Sequence, residues 1–229
     1  MKGDAAHHWG RVVRAEAGQL YELSDGNRAW LARVEDVKRD RITFSFVEEL
    51  AVYRPAFQTT LLLSIVKFDA FEFALEKATE LGVCTVVPVA AARSEKALLA
   101  AAQKRAERWK KILLEASQQS RRLRIPVLGA LTKPDAAFSA RSESRKILLS
   151  ERVDALPLRN VVEGNGVTAS VDALALAIGP EGGWTDVEFQ CAGKYGFREA
   201  SLGRLILRTE TAVIAAMASL NYALSHRES

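Results

Sequence analysis

Residues 174–188 read Leu-Ala-Leu-Ala-Ile-Gly-Pro-Glu-Gly-Gly-Trp-Thr-Asp-Val-Glu, and this stretch decides the fold. Leu174 to Ile178 is an apolar run of strand length with no polar alternation, the pattern of a strand covered on both faces. Thr185-Asp-Val-Glu188 has the spacing of a capping box and opens a helix. Strand, turn and helix in immediate succession are the unit of a parallel sheet. The turn between them, Gly179-Pro180-Glu181-Gly182-Gly183-Trp184, holds three glycines. Glycine lets backbone approach a ligand closely and adopt positive φ. The turn fits neither the phosphate-binding loop GxxxxGK followed by Ser or Thr nor the dinucleotide pattern GxGxxG. A nucleotide-phosphate site is therefore disfavoured, and a snug loop around a flat, uncharged ring is favoured. Its plainer reading is a tight β-to-α turn.

Outward from this unit the alternation continues. Leu61 to Val66 and Val83 to Val89 read as strands, as do Lys146 to Leu149. Asp69-Ala-Phe-Glu72 has capping-box spacing, and Phe71, Leu75 and Ala78 share one face of a helix ending near Gly82. Ala102, Ala106, Trp109, Leu113 and Ala116 predict one long amphipathic helix. A last helix from about Glu210 to Leu224 is apolar on nearly every side, so it must be buried in its domain or between subunits. The pattern predicts an open, mostly parallel α/β sheet whose ligands bind beyond the carboxyl ends of the strands. The turn after Ile178 and the segment after Phe197 therefore matter most.

The first 55 residues read differently. Arg11 to Arg14, Gln19 to Ser24, Ala29 to Val34 and Ile42 to Val47 are strand-like, with Asp25-Gly26 as a hairpin signal. Short strands at this spacing predict a small barrel. Arg54-Pro55 marks its boundary, because the residue before proline is driven out of helix. Gly164-Asn165-Gly166 reads simply as a loop.

Composition narrows the chemistry. With 48% apolar and 26% charged residues, the chain is an ordinary globular protein and not a disordered one. Its two cysteines, Cys84 and Cys191, have no nearby His or Cys, which excludes a disulfide scaffold or zinc cluster and fits a reducing cytosol. No apolar h-region marks a secretory signal and no run reaches membrane-spanning length. Three histidines, His7, His8 and His226, lie near the ends, so His-centred triads and metal sites are disfavoured. No GxSxG elbow is present.

Two further constellations remain. Ser201 to Ala212 joins a strand end, Gly203, a short apolar run and a charged helix start, where Arg208 and Glu210 flank Thr209, a candidate N-cap. Alone, this reads more simply as a cap with an ion pair. From Lys104 to Arg124 the chain is basic, with Lys104, Arg105, Arg108, Lys110, Lys111, Arg121, Arg122 and Arg124 against Glu107 and Glu115. Such a run is usually a solvated helix face. Gln118-Gln119-Ser120-Arg121-Arg122 beyond it supplies amide and guanidinium donors suited to phosphates and base edges. His8, Arg11 and Arg14 add charge to the first module, and a net charge of +4 permits nucleic-acid binding.

On these residues the chain resembles the small-subunit ribosomal RNA methyltransferases that modify N3 of a uridine in 16S rRNA, within the SPOUT superfamily. Three blocks carry the likeness: His8 to Arg14 followed by Asp25-Gly26; Lys67 to Gly82 with Arg93-Ser94 and Arg108 to Arg122; and Gly179 to Trp184 with Leu202 to Ala212. Relatives often have a further strand before the His8 block, and often Glu where Gln118 or Gln119 stands. The resemblance implies a PUA-like, RNA-binding β-barrel over residues 1–55 and a SPOUT-type α/β methyltransferase domain over 56–229 with a C-terminal trefoil knot. It implies S-adenosylmethionine bound by Leu176, Ile178, Gly179, Gly182 and Gly183 from one loop. The other loop contributes Ser201, Leu202, Gly203, Ile206 and Leu207. Arg208 would stabilise a uracil anion, with Glu210 or Glu181 taking the proton or holding Arg208. Arg11, Arg14, Arg93, Arg121 and Arg122 would touch RNA. A cytoplasmic homodimer acting on the small ribosomal subunit is implied. Two rivals are a superfamily relative acting on tRNA ribose and a non-catalytic RNA-binding assembly factor. The intact glycine loop and the Arg208 to Ala212 segment speak against the second.

Overall fold

The computed structural model describes all residues except 4, 5, 8, 53, 54, 164–171 and 226–229. His8, Arg54, Gly164-Asn165-Gly166 and His226 thus lie outside the described residues. The chain forms two units, one of residues 1–54 with 122–124 and one of residues 55–121 with 125–229.

In the smaller unit β1 (Leu20–Ser24), β2 (Ala29–Lys38) and β3 (Arg41–Leu50) form an antiparallel sheet in sequential order. The hairpin between β1 and β2 is held by the Asp25 carboxylate, which accepts from the Asn27 and Arg28 amides at 2.8 Å each, while Gly26 takes φ +88°. Those amides hold the Asp25 carboxyl below its usual pKa. Arg124, part of this unit, donates to the Gly26 carbonyl at 2.8 Å and to the Asn27 side chain. Arg11 to Arg14 does not open the β pattern as expected. Trp9–Val13 is a π-helical turn docked by its indole, which meets Tyr21 edge-on at 4.8 Å and Phe44 at 5.7 Å. Ring packing takes the place of a strand ladder here.

The larger unit runs β4 (Gln58–Ser64), α1 (Phe68–Glu80), β5 (Thr85–Val89), α2 (Lys96–Ala102), α3 (Ala106–Gln119), β6 (Val127–Leu128) and α4 (Pro134–Ser139). It continues through β7 (Arg145–Leu149), β8 (Leu156–Pro157), α5 (Leu158–Glu163), β9 (Ala173–Ile178), α6 (Asp186–Lys194), β10 (Arg198–Ser201) and α7 (Thr209–Ser225). Its seven strands are parallel in the order β6-β5-β4-β9-β7-β10-β8. The central strands are buried on both faces, which is why they read as unbroken apolar runs. Leu61, Leu63, Leu174 and Leu176 pack with Phe71, Leu75, Trp109, Val213 and Met217. Leu62, Leu148, Ala175 and Ala177 pack on the other side with Phe138, Trp184 and Phe197.

Two local expectations are corrected. Asp69 and Glu72 form no capping box; α1 starts at Phe68 with Lys67 as N-cap and no side-chain cap. The Glu72 carboxylate is taken instead by Arg108 at 2.7 Å and Arg105 at 3.3 Å. The single helix expected over Ala102 to Ala116 is split by a 3-10 turn at Gln103–Arg105, although Trp109, Leu113 and Ala116 are buried on one face. Along α7, Val213, Ala216, Met217, Leu220 and Leu224 are buried within the chain, whereas Thr211, Ala218, Ser219 and Tyr222 are exposed on it.

Candidate active site

Every strand of the parallel sheet ends its carboxyl side at the same edge, and three neighbours, β9, β7 and β10, place their following residues together there. The turn after β9 is closed by the Gly183 amide donating to Pro180 at 2.8 Å, with Gly183 at φ +69°. The capping box expected after it is present. Thr185 Oγ1 accepts from the Glu188 amide, and Glu188 Oε2 accepts from the Thr185 amide at 2.7 Å. The other oxygen of this buried carboxylate accepts from the Ala92 amide at 2.8 Å. The turn after β10 is folded by Ser201, whose hydroxyl accepts from the Gly203 amide at 3.1 Å and donates to the Gly203 carbonyl at 2.8 Å. Gly203 there takes φ +130°.

The two turns are tied directly. Thr209, buried, donates its hydroxyl to the Gly179 carbonyl at 3.2 Å. Its expected role as N-cap is thus replaced: α7 begins at Thr209 itself and the side chain reaches across to the other turn. One cleft results, lined by Ile178, Gly179, Gly183, Ser201, Leu202, Gly203, Ile206 and Leu207 among others. These are eight of the ten residues proposed from sequence for the cofactor. Leu176 is not among them because it lies mid-strand in the core. Gly182 is also outside, facing Arg93, whose Cβ and Cδ would each stand 3.4 Å from a Cβ built on it.

Sequence reading missed Leu149, Ser150 and Glu151, which line the same cleft from the end of β7, and Trp184, which closes it. The signal was available, since β7 is a parallel strand and its carboxyl end belongs to the ligand edge. The Trp184 indole N–H is buried and has no hydrogen-bond partner among the described residues. A Cβ on Gly179 would stand 3.0 Å from that nitrogen, so only glycine leaves the indole its place.

A second cleft adjoins the first and shares Glu181, Ile206 and Leu207 with it. It brings Arg208, Glu210 and Glu181 together with Lys67, Asp69 and Phe73, three residues that sequence reading left out of the site. Glu210 Oε2 is buried without a hydrogen-bond partner among the described residues. No ion pair between Arg208 and Glu210 is found among them, so the simple cap-and-pair reading fails at both residues. The first cleft's lining holds two acids, Glu151 and Glu181, and no lysine or arginine. The cations stand in the second.

The predicted RNA contacts are divided between the two units. Arg11 and Arg14 are exposed in the smaller unit, and Arg14 takes φ +53°. Arg121, at φ +54°, and Arg122 follow the end of α3. On α3 itself much of the basic run is paired with acids, Lys110 with Glu107 and Lys111 with Glu115. Arg93 instead donates to the Gly182 carbonyl at 2.6 Å and the Trp184 carbonyl at 3.3 Å, bracing the glycine turn from behind. No cluster of three or more His, Cys, Asp or Glu fit for a metal occurs among the described residues, nor a helix long and apolar enough to cross a membrane.

Residues 53–221 match the model of the RNA methyltransferase domain family. The chain belongs to that family. It is 32% identical over 222 residues to the ribosomal RNA small subunit methyltransferase E of Synechocystis, covering 94% of this chain and 70% of the relative. To the protein of the same name from Aquifex aeolicus it is 31% identical, covering 96% and 91%. A crystal structure of ribosomal RNA small subunit methyltransferase E from Neisseria gonorrhoeae, bound to S-adenosyl methionine, superposes with a TM-score of 0.83 at 30% identity, covering 97% of this chain and 90% of that one. Membership gives the paired clefts a chemical sense, because an RNA methyltransferase must hold a methyl donor and an acceptor nucleotide side by side.

Proposed function

We propose that this chain methylates N3 of a uridine in the 16S RNA of the small ribosomal subunit, using S-adenosylmethionine. The observation that carries the reading is the single cleft built from the Gly179–Trp184 turn and the Ser201–Leu207 segment. Its chemistry suits the cofactor. Apolar walls at Ile178, Leu202, Leu207 and Ala212 suit a flat ring, and the backbone of the two turns offers polar contacts without charge. Bound there, S-adenosylmethionine supplies a methyl group on a positively charged sulfur. The names of the relatives and the bound ligand of the Neisseria protein support the same assignment.

The second cleft is read as the place of the uracil. N3 carries a proton and becomes an adequate nucleophile only when that proton leaves. Arg208 stabilises the resulting anion at the uracil oxygens, a preorganised cation aimed at developing charge. Glu210, with its buried and unpartnered Oε2, accepts the N3 proton, and Glu181, lining both clefts, is the alternative acceptor. The clefts being contiguous, base and donor can be aligned without diffusion between them.

The finer architecture belongs to the same proposal. Residues 1–55 act as a PUA-like barrel that binds RNA, with Arg11 and Arg14 on phosphate, and Arg121 and Arg122 also contact RNA. Residues 56–229 form the SPOUT catalytic domain, whose two tied turns are read as part of a trefoil knot. The exposed face of α7, around Ala218 and Tyr222, serves a cytoplasmic homodimer. Mass-spectrometric mapping of 16S rRNA from cells lacking the protein tests the function. One uridine should lose its N3 methyl group and regain it on complementation. Retention of every such methyl, or loss of a tRNA ribose methyl instead, would refute the reading.

A further inference from the structure

We propose that Glu151 binds the ribose of the cofactor, its two carboxylate oxygens accepting from the vicinal 2′ and 3′ hydroxyls. The inference rests on the cofactor reading of the first cleft. Glu151 lies just past the end of β7 and lines that cleft opposite the glycine turn. Its carboxylate lies directly over Gly183, where a Cβ built on that glycine would overlap it. Glu151 makes no ion pair or hydrogen bond among the described residues, unlike the neighbouring Arg152, which meets Glu199 at 3.6 Å and Asp186 at 3.9 Å. Its acceptor oxygens are therefore available to a ligand.

Charge placement selects which part of the cofactor meets it. S-adenosylmethionine presents three groups with more than one donor: the adenine amine, whose two N–H bonds diverge and cannot both reach one carboxylate, the ribose diol, and the ammonium of its amino-acid end. That ammonium travels with a carboxylate. Placed near Glu151, the carboxylate would face the acids Glu151 and Glu181 with no lysine or arginine in the lining to offset them. The carboxylate of the amino-acid end finds a cation in Lys67 of the adjoining cleft instead, which leaves Arg208 to the uracil. The reacting sulfur must lie where the clefts meet, at Glu181, Ile206 and Leu207, and Glu151 is absent from the second lining. An uncharged diol set back from the junction fits Glu151, since a carboxylate has two oxygens for two hydroxyls and such charge-assisted bonds are the strong ones.

Titration calorimetry on the full chain separates the possibilities, using S-adenosylmethionine and 5′-methylthioadenosine, which keeps the ribose and lacks the amino-acid end. Glu151→Gln should weaken both ligands alike, by about tenfold, with an unchanged melting temperature, and Glu151→Asp should recover part of the loss. A loss confined to S-adenosylmethionine would assign Glu151 to the ammonium and overturn the proposal, as would no loss with either ligand. Failure of the unaltered chain to bind either ligand would overturn the cofactor reading itself, and this inference with it.

Discussion

The hydroxyl of Thr209 donates to the carbonyl of Gly179 at 3.2 Å, joining the first residue of α7 to the turn that follows β9, thirty positions earlier in the chain. The bond is partly buried, so the Gly179 carbonyl loses a partner rather than exchanging it for bulk water if the hydroxyl is removed. Thr209→Val keeps the shape and removes the donor. It should cost about 1 kcal/mol of stability and weaken S-adenosylmethionine severalfold, because the two walls of the cleft are no longer tied. Calorimetry alongside a denaturant melt checks both, and an unaltered affinity would mean that the walls hold their positions without this bond.

Two glycines in adjoining elements should answer oppositely to alanine. Gly183 combines φ +69° with a Cβ position already filled by the Glu151 carboxylate. Gly183→Ala is therefore expected to lose about 1–3 kcal/mol from backbone strain, and cofactor binding with it. Gly193, inside α6, has ordinary φ and open space around its Cβ position. Gly193→Ala should raise stability by about 0.5–1 kcal/mol. Urea midpoints of the two variants moving in the same direction would contradict the backbone assignment.

Arg93 separates bracing from RNA contact. Its guanidinium is engaged by the Gly182 and Trp184 carbonyls, and its loss frees the turn that carries Gly183. Arg93→Ala should raise the KM for S-adenosylmethionine while leaving the salt dependence of RNA binding as in the parent. An arginine bound to phosphate would instead lower the salt slope by about 1 when removed. A lowered slope with unchanged KM would restore Arg93 to the RNA surface.

What could be read from the chain alone was local. The β9 strand, its glycine turn and the Thr185–Glu188 cap were legible because their signals fall within fifteen consecutive residues. The same holds for Asp25-Gly26. Glu151 was not legible as a site residue, because it joins Gly183 only through the lateral order β9-β7-β10. Gly182 and Gly183 look equivalent in sequence, and only φ and the neighbours of a Cβ tell them apart. The Asp69–Glu72 spacing misled for a related reason: Glu72 was captured by Arg105 and Arg108, thirty-three and thirty-six residues on. Tertiary pairing there overrode a local motif.

The outer face of α7 gives an oligomer prediction. Tyr222 is 76% exposed, and Ala218 lies one turn before it on the same open side of the helix. The inner face is already filled by Val213, Met217 and Leu220, so only this side is left for a second copy. Light scattering at micromolar concentration should give twice the chain mass of 25.1 kDa, and Ala218→Arg should give the monomer with an unchanged fold. A monomeric parent chain would refute the dimer.

The last prediction sets Arg208 against Arg122. Arg208 lines the second cleft with Glu181 and Glu210, whereas Arg122 follows α3 in the segment proposed to contact RNA. If Arg208 stabilises charge that appears only as N3 loses its proton, its benefit is confined to the transition state. Removing it should then lower the single-turnover rate by about a hundredfold or more and leave RNA affinity nearly intact. Arg122→Ala should do the reverse, weakening binding with salt while the rate at saturating subunit stays near the parent's, because a lost phosphate contact is restored by concentration. The comparison at saturation is the decisive one, since at low RNA both variants would simply look slow. Methylation by Arg208→Ala at the parental rate would leave Arg208 as a bystander at the start of α7, and the anion would have to be stabilised by Lys67, the other cation in that cleft.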